Sequence, residues 1–296
     1  MNNLQIFVKG GIGNQLIQLA YSHNLRPKNE GEIIVNKFYF SRLYSKLSRN
    51  TSRHFRHSLL PDYIKVMNNS IWSFFCFLHF KVLRFIGSRN IIDDTFNLSD
   101  RSLVSTIGTI YLDGYFQGED AFNGNTNAFW AEVAKNLQLM TDNNLDLLQR
   151  YKNSMIIHIR HGDYLRPENM KLFSIQDVNY QIRKALDIRN RLELKIPINI
   201  LADPSTNLNE LISAENINFV NILPALSELE DLLVIASHRY IIASNSTYCL
   251  CAAKLSEYVT GNSHHMILPD RWFVDKVRSD DLFLSLSNCT FVNRCL

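Results

Sequence analysis

The sequence is poor in the features that mark specialised classes of protein. It holds five cysteines in 296 residues, an odd number with no C-x-x-C pair, which favours free thiols in a reducing compartment over a disulfide framework. Cys249 and Cys251 would point about 200° apart on a helix and could not share a metal ion there. A net charge of +3 is too small to indicate a nucleic-acid partner. We therefore expect an ordinary globular protein, long enough for two domains.

Long uncharged hydrophobic runs are also missing. The apolar run at residues 71–86 is broken by His79, Lys81 and Arg84, and is too short and too charged for a transmembrane helix. The apolar run at residues 4–8 is too short for a signal-peptide core. We expect a cytoplasmic protein in which the Asn245-Ser246-Thr247 sequence is not glycosylated.

Positive charge is concentrated near the N-terminus. Residues 26–89 hold twelve Lys or Arg and three acids, whereas residues 151–296 hold fifteen bases and sixteen acids. The apolar run at 71–86 lies inside this basic region. It is either a core helix or a surface helix resting on an anionic membrane. On the second hypothesis Trp72 and Phe75 are apolar anchors, and the basic residues facing the lipid are Arg49, Arg53, Arg56 and Lys65.

Apolar strands alternate with helix-like segments in most of the chain. A strand at 4–8, a glycine turn and a helix at 15–24 open the sequence. After residue 150 we predict strands at 154–160, 198–202, 218–223, 239–243 and 265–268, with helices near 177–189, 225–236 and 246–257. This alternation predicts a parallel sheet covered on both faces.

The most informative segment reads Ile156-Ile157-His158-Ile159-Arg160-His161-Gly162-Asp163-Tyr164. An apolar strand breaks directly into a polar loop, and strand ends are where α/β proteins bind ligands. The forked guanidinium of Arg160 suits a phosphate, while Asp163 can orient it or accept a hydrogen bond from a sugar hydroxyl. His158 lies inside the strand, where a histidine satisfied within the core is the ordinary expectation.

A second polar segment, Ser244-Asn245-Ser246-Thr247, lies between a predicted strand and a predicted helix. Free amides and the helix dipole would meet an anion there, and the hydroxyls of Ser246 and Thr247 could donate to a pyrophosphate. The alternative is that Ser244 or Asn245 only caps the helix. If both polar segments lie at one sheet edge, they can converge on one diphosphate.

Two other kinds of site are not supported. The glycine-rich segment at residues 10–14 lacks the Lys-Ser or Lys-Thr of a P-loop and the glycine spacing of a dinucleotide fingerprint. His158, His161 and Asp163 have no fourth metal ligand at a recognisable spacing. We therefore expect no bound metal.

Five segments in order resemble the motifs of the bacterial α-1,2-fucosyltransferases. They read Gly10-Gly11-Ile12-Gly13-Asn14-Gln15, Gly114-Tyr115-Phe116-Gln117, His158 to Tyr164, Ser244 to Thr247 followed by Ala252-Ala253, and Pro269-Asp270-Arg271-Trp272-Phe273. The resemblance implies an α/β, glycosyltransferase-B-like fold, with two Rossmann-like domains facing each other across a cleft. Residues 1–150 would form the N-terminal, acceptor-side domain and residues 151–296 the C-terminal, GDP-sugar donor-binding domain.

The same resemblance implies transfer of fucose, with inversion, from GDP-fucose to the 2-hydroxyl of a galactose-terminated glycan. The setting would be bacterial surface polysaccharide (O-antigen) assembly on a lipid-linked acceptor, with peripheral contact to the inner membrane and no metal or other cofactor. Arg160, Asn14 and Asp163 are the catalytic candidates, although the sequence identifies no general base. The donor would contact Gly11, Gly13, His158, Arg160, His161, Asp203, Asn245, Ser246 and Thr247. For Asp203 an Asx-turn before Pro204 is the alternative to a ribose or guanine contact.

The chain departs from the family pattern at two places. His161 stands where the family has a second arginine, so a fixed charge is replaced by an imidazole, which is charged only when protonated. Leu250 and Cys251 replace two tryptophans on the helix after Thr247. These changes bear on donor affinity and helix packing. They leave open a transferase for another GDP-sugar or linkage, or a non-catalytic nucleotide-sugar-binding protein.

Overall fold

A computed structural model describes residues 3–26, 32–42, 44–45, 54–88, 90–93, 108–141, 144–261, 264–287, 289 and 292–293. The chain forms two compact units, Met1–Asn136 and Leu137–Leu296. Each unit has its own parallel sheet.

The first unit is a five-stranded sheet with helices. Its strands are β1 (Asn3–Phe7), β2 (Ile33–Asn36), β3 (Ile64–Val66), β4 (Ile91–Asp93) and β5 (Thr109–Asp113), and its helices are α1 (Ile12–Leu25), α2 (Ser70–Phe85) and α3 (Asn127–Met140). The strand order is β3-β2-β1-β5-β4, with every pair parallel. The predicted opening strand and helix are confirmed. Because β1 and β5 are parallel neighbours, the loops that follow them lie at the same sheet edge.

The second unit has a six-stranded sheet in the Rossmann order. Its strands are β6 (Met155–Ile159), β7 (Ile198–Ala202), β8 (Asn221–Ile222), β9 (Tyr240–Ile242), β10 (His265–Ile267) and β11 (Val292–Asn293). Its helices are α4 (Asn144–Tyr151), α5 (Pro167–Met170), α6 (Val178–Arg191), α7 (Leu208–Leu211), α8 (Glu228–Ala236), α9 (Thr247–Val259) and α10 (Lys276–Ser285). The order β8-β7-β6-β9-β10-β11 reverses between β6 and β9, the position at which such sheets bind nucleotides.

The predicted α/β fold with two Rossmann-like units is confirmed. The two compact units divide inside α3, and α4 packs against α8 of the second unit. The strand predicted at 218–223 is shortened to Asn221–Ile222, since residues 217–219 form a 3-10 turn in which the Phe219 amide donates to the Asn216 carbonyl at 3.1 Å.

The core of the second unit follows from its parallel sheet. All five residues of β6 are buried, as expected for a strand covered on both faces. On α9, Leu250 and Cys251 are fully buried, so small side chains fill the positions where the family has tryptophans. Burial raises the pKa of the Cys249 thiol to about 12. Among the described residues, no disulfide joins the four cysteines Cys76, Cys249, Cys251 and Cys289; Cys295 lies outside the described residues.

Helix α2 has two apolar faces. Asn69 caps it by accepting hydrogen bonds from the amides of Ile71 and Trp72 at 2.9 and 3.2 Å. On the inner face Phe80 is fully buried and contacts Phe7 and Tyr111. On the outer face Trp72 is 63% and Phe75 54% exposed. The core-helix hypothesis therefore holds only for the inner face.

The described residues include no helix that is both long and apolar enough to cross a membrane. Of the basic residues that the membrane hypothesis named, Arg56 and Lys65 are described, whereas Arg49 and Arg53 lie outside the described residues.

Candidate functional site

Two polar loops meet at the carboxyl edge of the second sheet. Strands β6 and β9 are parallel neighbours, and the loops that follow them hold the two segments predicted to converge. His158 Nδ1 lies 3.0 Å from Ser244 Oγ, and the Tyr164 hydroxyl donates to the Asn245 carbonyl at 2.9 Å. The structure therefore places both segments at the point where the strand order reverses.

Arg160 is held in place by its own loop. Its Nη2 donates to Asp163 Oδ1 at 2.7 Å, and its guanidinium lies 5.8 Å from the centre of the Tyr164 ring. The side chain stays about one third exposed. A guanidinium that is oriented on one side and open to solvent on the other is arranged to receive an anion.

Helix α9 begins at the same edge. Ser246 is its N-cap residue, and the Ser246 hydroxyl accepts a hydrogen bond from the Tyr248 amide at 3.3 Å. Thr247 is the first helical residue and is half-buried. The helix is thus capped by Ser246, and not by Ser244 or Asn245 as the capping alternative predicted. Capping leaves the positive end of the helix dipole at the sheet edge, where an anion is stabilised.

Asn245 links the loop after β9 to the segment at residues 269–273, which contains Trp272 and Phe273. Its Nδ2 donates to the carbonyls of Ser174 and Trp272 at 2.7 and 2.8 Å. The Tyr164 and Phe173 rings stack at 4.4 Å, and Phe173 also contacts Phe273 at 5.7 Å. The segment at 269–273 therefore braces both polar loops. Sequence reasoning missed this bracing role, although the order of the motifs had singled the segment out.

Asp203 supports the loop after β6. Its carboxylate accepts hydrogen bonds from the amides of His161 and Gly162 at 3.1 and 2.9 Å, and from Ser205 and the Thr206 hydroxyl. Burial opposes ionisation of Asp203, but the hydrogen bonds from Ser205, Thr206 and the two amides outweigh it and hold the pKa of the carboxyl below its ordinary value. The hydrogen bond from the Ser205 amide to the Asp203 carboxylate is that of the predicted Asx-turn. A contact of Asp203 with ribose or guanine stays a prediction.

The two histidines of the loop have different partners. Burial, with a smaller effect of the Arg160 charge, lowers the pKa of His158 to about 3, so the ring is neutral at physiological pH and pairs with Ser244. His161 is buried, and its Nε2 lies 3.1 Å from the Gln176 carbonyl. The rings therefore face separate groups and do not form a joint metal site. The described residues contain no group of three or more His, Cys, Asp or Glu arranged to hold a metal ion.

The first unit has its own pair of segments at a sheet edge. Gln117 Nε2 donates to Asn14 Oδ1 at 3.0 Å, which joins the loop after β5 to the start of α1. Gly10 has φ of +88°, and a Cβ there would lie 2.7 Å from Asn14 Nδ2. Gly11 is the N-cap residue of α1 and Gly13 is buried in its first turn. Residue 10 must therefore be glycine, because a side chain there would clash with Asn14.

A charge cluster beside this pair was missed from the sequence. Asp113, at the end of β5, is buried between Lys9 Nζ at 3.0 Å and Arg84 Nη1 at 2.8 Å. Lys9 also lies 4.9 Å from the centre of the Tyr115 ring. The available signal was a lysine two residues after β1 and an aspartate at the end of β5, since both positions fall at the carboxyl edge of the sheet.

An arginine and a helix N-terminus at the reversal point of a Rossmann-order sheet are typical of sites that bind nucleotide phosphates. Comparison with protein families makes the class more specific. The chain belongs to glycosyl transferase family 11, whose model matches residues 3–284. It is therefore a glycosyltransferase.

Solved structures that resemble the chain include a heptosyltransferase and a fucosyltransferase. Escherichia coli heptosyltransferase WaaC with ADP has a TM-score of 0.41 and 11% identity, over 90% of this chain and 87% of that chain. Fucosyltransferase NodZ from Bradyrhizobium has a TM-score of 0.48 and 11% identity, over 86% and 92% of the two chains. POFUT1 in complex with GDP has a TM-score of 0.45 and 11% identity, over 90% and 97%. None of the curated proteins compared with the chain matches it significantly.

Proposed function

We propose that this glycosyltransferase transfers fucose, with inversion, from GDP-fucose to the 2-hydroxyl of a galactose-terminated glycan. The observation that carries the proposal is the convergence of Arg160 and the α9 N-terminus at the reversal point of the second sheet, in a chain of glycosyl transferase family 11. The donor specificity and the linkage in this proposal come from the five sequence segments, which resemble the motifs of α-1,2-fucosyltransferases.

The reaction is a direct displacement at the anomeric carbon of fucose. The acceptor hydroxyl oxygen forms a bond to that carbon while the bond to the diphosphate oxygen breaks, and the acceptor proton leaves to a base. Negative charge grows on the departing GDP. The Arg160 guanidinium and the amide end of α9, with the hydroxyl of Thr247, stabilise that charge in fixed positions, which is the largest contribution such sites make.

Other residues of the loop position Arg160. Asp163 binds its guanidinium at 2.7 Å, so we assign Asp163 to orienting the arginine. Asp203 fixes the amides of His161 and Gly162, which sets the course of the loop. His158 is neutral and ties Ser244 to β6, so its contribution to the donor site is to hold the two loops together.

We assign the acceptor to the first unit. Asn14 is fixed there by Gln117, and a fixed side-chain amide can bind a sugar hydroxyl. The acceptor in this proposal is a lipid-linked glycan used in surface polysaccharide assembly at the cytoplasmic face of the inner membrane.

The test measures GDP release by the purified protein with GDP-fucose and a panel of β-galactosides, followed by NMR of the product. We expect acceptor-dependent GDP release and a product with fucose in an α-1,2 linkage. GDP-mannose is the matched donor control, because it presents the same GDP group with another sugar. Turnover with GDP-mannose alone would show another donor, and another linkage in the product would show another regiochemistry. Tight GDP-fucose binding without turnover would show a non-catalytic binding protein.

A further inference from the structure

The outer face of α2 is an exposed apolar stripe. Ile71, Phe75, Leu78, Val82 and Phe85 follow one another in steps of four, three, four and three residues, and all five are exposed. This spacing puts them on one side of the helix. Phe85 is 91% exposed, so the stripe ends in an aromatic ring almost fully in solvent.

Exposed apolar side chains are concentrated on this helix and its C-cap. Of the eight large hydrophobic side chains exposed among the described residues of the first unit, seven lie between residues 71 and 86, and the eighth is Tyr115. Single exposed apolar side chains are common on protein surfaces, but a contiguous set marks an interaction surface. The inner face of α2 already supplies the core through Phe80, so the outer stripe serves another purpose.

The charge around the stripe indicates what it binds. Between Asp62 and Asp93 the sequence has no acidic residue, whereas it has four basic ones, Lys65, Lys81, Arg84 and Arg89. Lys81 is exposed on α2 itself, with Nζ 5.1 Å from the centre of the Phe77 ring. Arg84 is paired with Asp113 and Lys65 with Glu32, so their charges are partly balanced and Lys81 is the exposed cation of α2 on which the attraction depends. A second copy of this helix would bring like charges together, while an anionic surface would be attracted.

We propose that the outer face of α2 docks the protein on an anionic lipid bilayer, with the helix lying in the plane of the surface. The sixteen residues of α2 span about 24 Å, and their stripe would enter the boundary between headgroups and acyl chains while Lys81 meets lipid phosphates. This docking concerns a surface of the first unit and is independent of which sugar nucleotide the second unit binds.

The protein carries its own reporter for this docking. It has three tryptophans, of which Trp130 and Trp272 are buried and Trp72 is exposed on α2. Transfer of the Trp72 indole from water to lipid should shift the fluorescence emission of the whole protein to the blue.

We expect that shift with vesicles containing phosphatidylglycerol at low salt, and a much smaller shift with vesicles of phosphatidylcholine alone. Ionic strength from about 0.01 to about 1 M shortens the screening length from about 30 to about 3 Å and should release the protein. Trp72→Phe should abolish the shift while the protein still sediments with vesicles.

Charged substitutions on the stripe test the apolar contact, with controls of similar exposure elsewhere. Phe85→Glu and Val82→Glu should each lower the partition coefficient about tenfold or more, because they remove the transfer of an apolar side chain. Val82 is 58% exposed, and Val277 on α10 is 69% exposed, so Val277→Glu is the matched control and should bind normally. Lys81→Glu should weaken binding about five- to thirtyfold, whereas Lys195→Glu at an exposed position of the second unit should not.

Three outcomes would overturn the proposal. The first is a wild-type protein that does not sediment with phosphatidylglycerol vesicles at low salt. The second is vesicle binding that Phe85→Glu and Val82→Glu leave unchanged. The third is a wild-type dimer that these two variants dissociate, without vesicle binding, which would make the stripe a contact between two copies. Near-ultraviolet circular dichroism and analytical ultracentrifugation of each variant establish its folding and its oligomeric state.

Discussion

Replacement of Arg160 by alanine tests the donor site most sharply. The guanidinium is fixed by the 2.7 Å bond to Asp163 and remains about one third exposed at the sheet edge. Deleting one preorganised charge stabiliser lowers turnover about 10²–10³-fold, or about 2.7–4 kcal/mol of transition-state stabilisation. We expect that loss for Arg160→Ala in kcat, measured as GDP release under saturating GDP-fucose. Arg160→Lys should recover only part of it, since an ammonium group cannot replace the fork.

The matched control is Arg191→Ala. Arg191 donates to Asp187 at 2.6 Å within α6. The Arg191→Ala variant therefore also lacks an ion pair with an aspartate, but on a helix surface, where such pairs contribute little to stability. Its turnover should equal that of the wild type. Asp163→Asn keeps the shape of the partner and should reduce turnover less than Arg160→Ala does. If Arg160→Ala retains turnover within about threefold of the wild type, far from the expected loss, Arg160 does not stabilise the leaving group.

Four further predictions concern metal, pH and backbone geometry. Transfer should persist in excess EDTA, and a loss that Mg²⁺ or Mn²⁺ restores would contradict charge stabilisation by protein groups alone. His161→Arg restores the fixed charge of the family pattern and should strengthen GDP binding, measured by isothermal titration calorimetry. Equal affinities of the two proteins would mean that residue 161 serves only its contact with the Gln176 carbonyl. Gly10→Ala should lower stability and turnover more than Gly87→Ala, measured by urea unfolding and GDP release. Both glycines have positive φ, a conformation that costs an alanine about 1–2 kcal/mol. Of the two, only Gly10 would bring the added Cβ against a side chain, that of Asn14. Equal losses in the two variants would contradict this clash. Burial lowers the pKa of both His158 and His238 to about 3, so below about pH 6.5 the unfolded chain binds protons that the folded chain does not. Stability should therefore fall as pH drops toward 3, by about 1.4 kcal/mol per pH unit per histidine, and equal unfolding free energies at about pH 7 and pH 5 would contradict the burial of these rings.

Much of the second unit could be predicted from its sequence. Its strands are short apolar runs that end in polar or turn residues, and its helices begin at good N-cap residues such as Asp177 and Ser227. Local patterns therefore indicated where β6, β7 and β9 end. Because those ends share one edge of a parallel sheet, the proximity of Arg160 and Ser246 also followed. The strand predicted at 218–223 was too long, since an apolar run cannot by itself distinguish a strand from a turn, and here Phe219 and Ile222 are exposed.

The finer geometry of the sites depends on contacts between distant segments. Asn245 binds the carbonyls of Ser174 and Trp272, and no local pattern encodes these partners. The orientation of His161 toward Gln176 has the same origin. On α2 the sequence left two hypotheses open because both faces of the helix are apolar, and only packing shows which face is covered.

The most direct test of the donor site is a crystal structure of the protein with GDP. We expect the diphosphate at the carboxyl edge of the second sheet, with its oxygens in hydrogen-bond contact with the Arg160 guanidinium and with the amides at the start of α9. Because Arg160 would contact the diphosphate, Arg160→Ala should weaken GDP binding in solution. A diphosphate bound elsewhere, with Arg160 still turned toward Asp163 alone, would contradict the account.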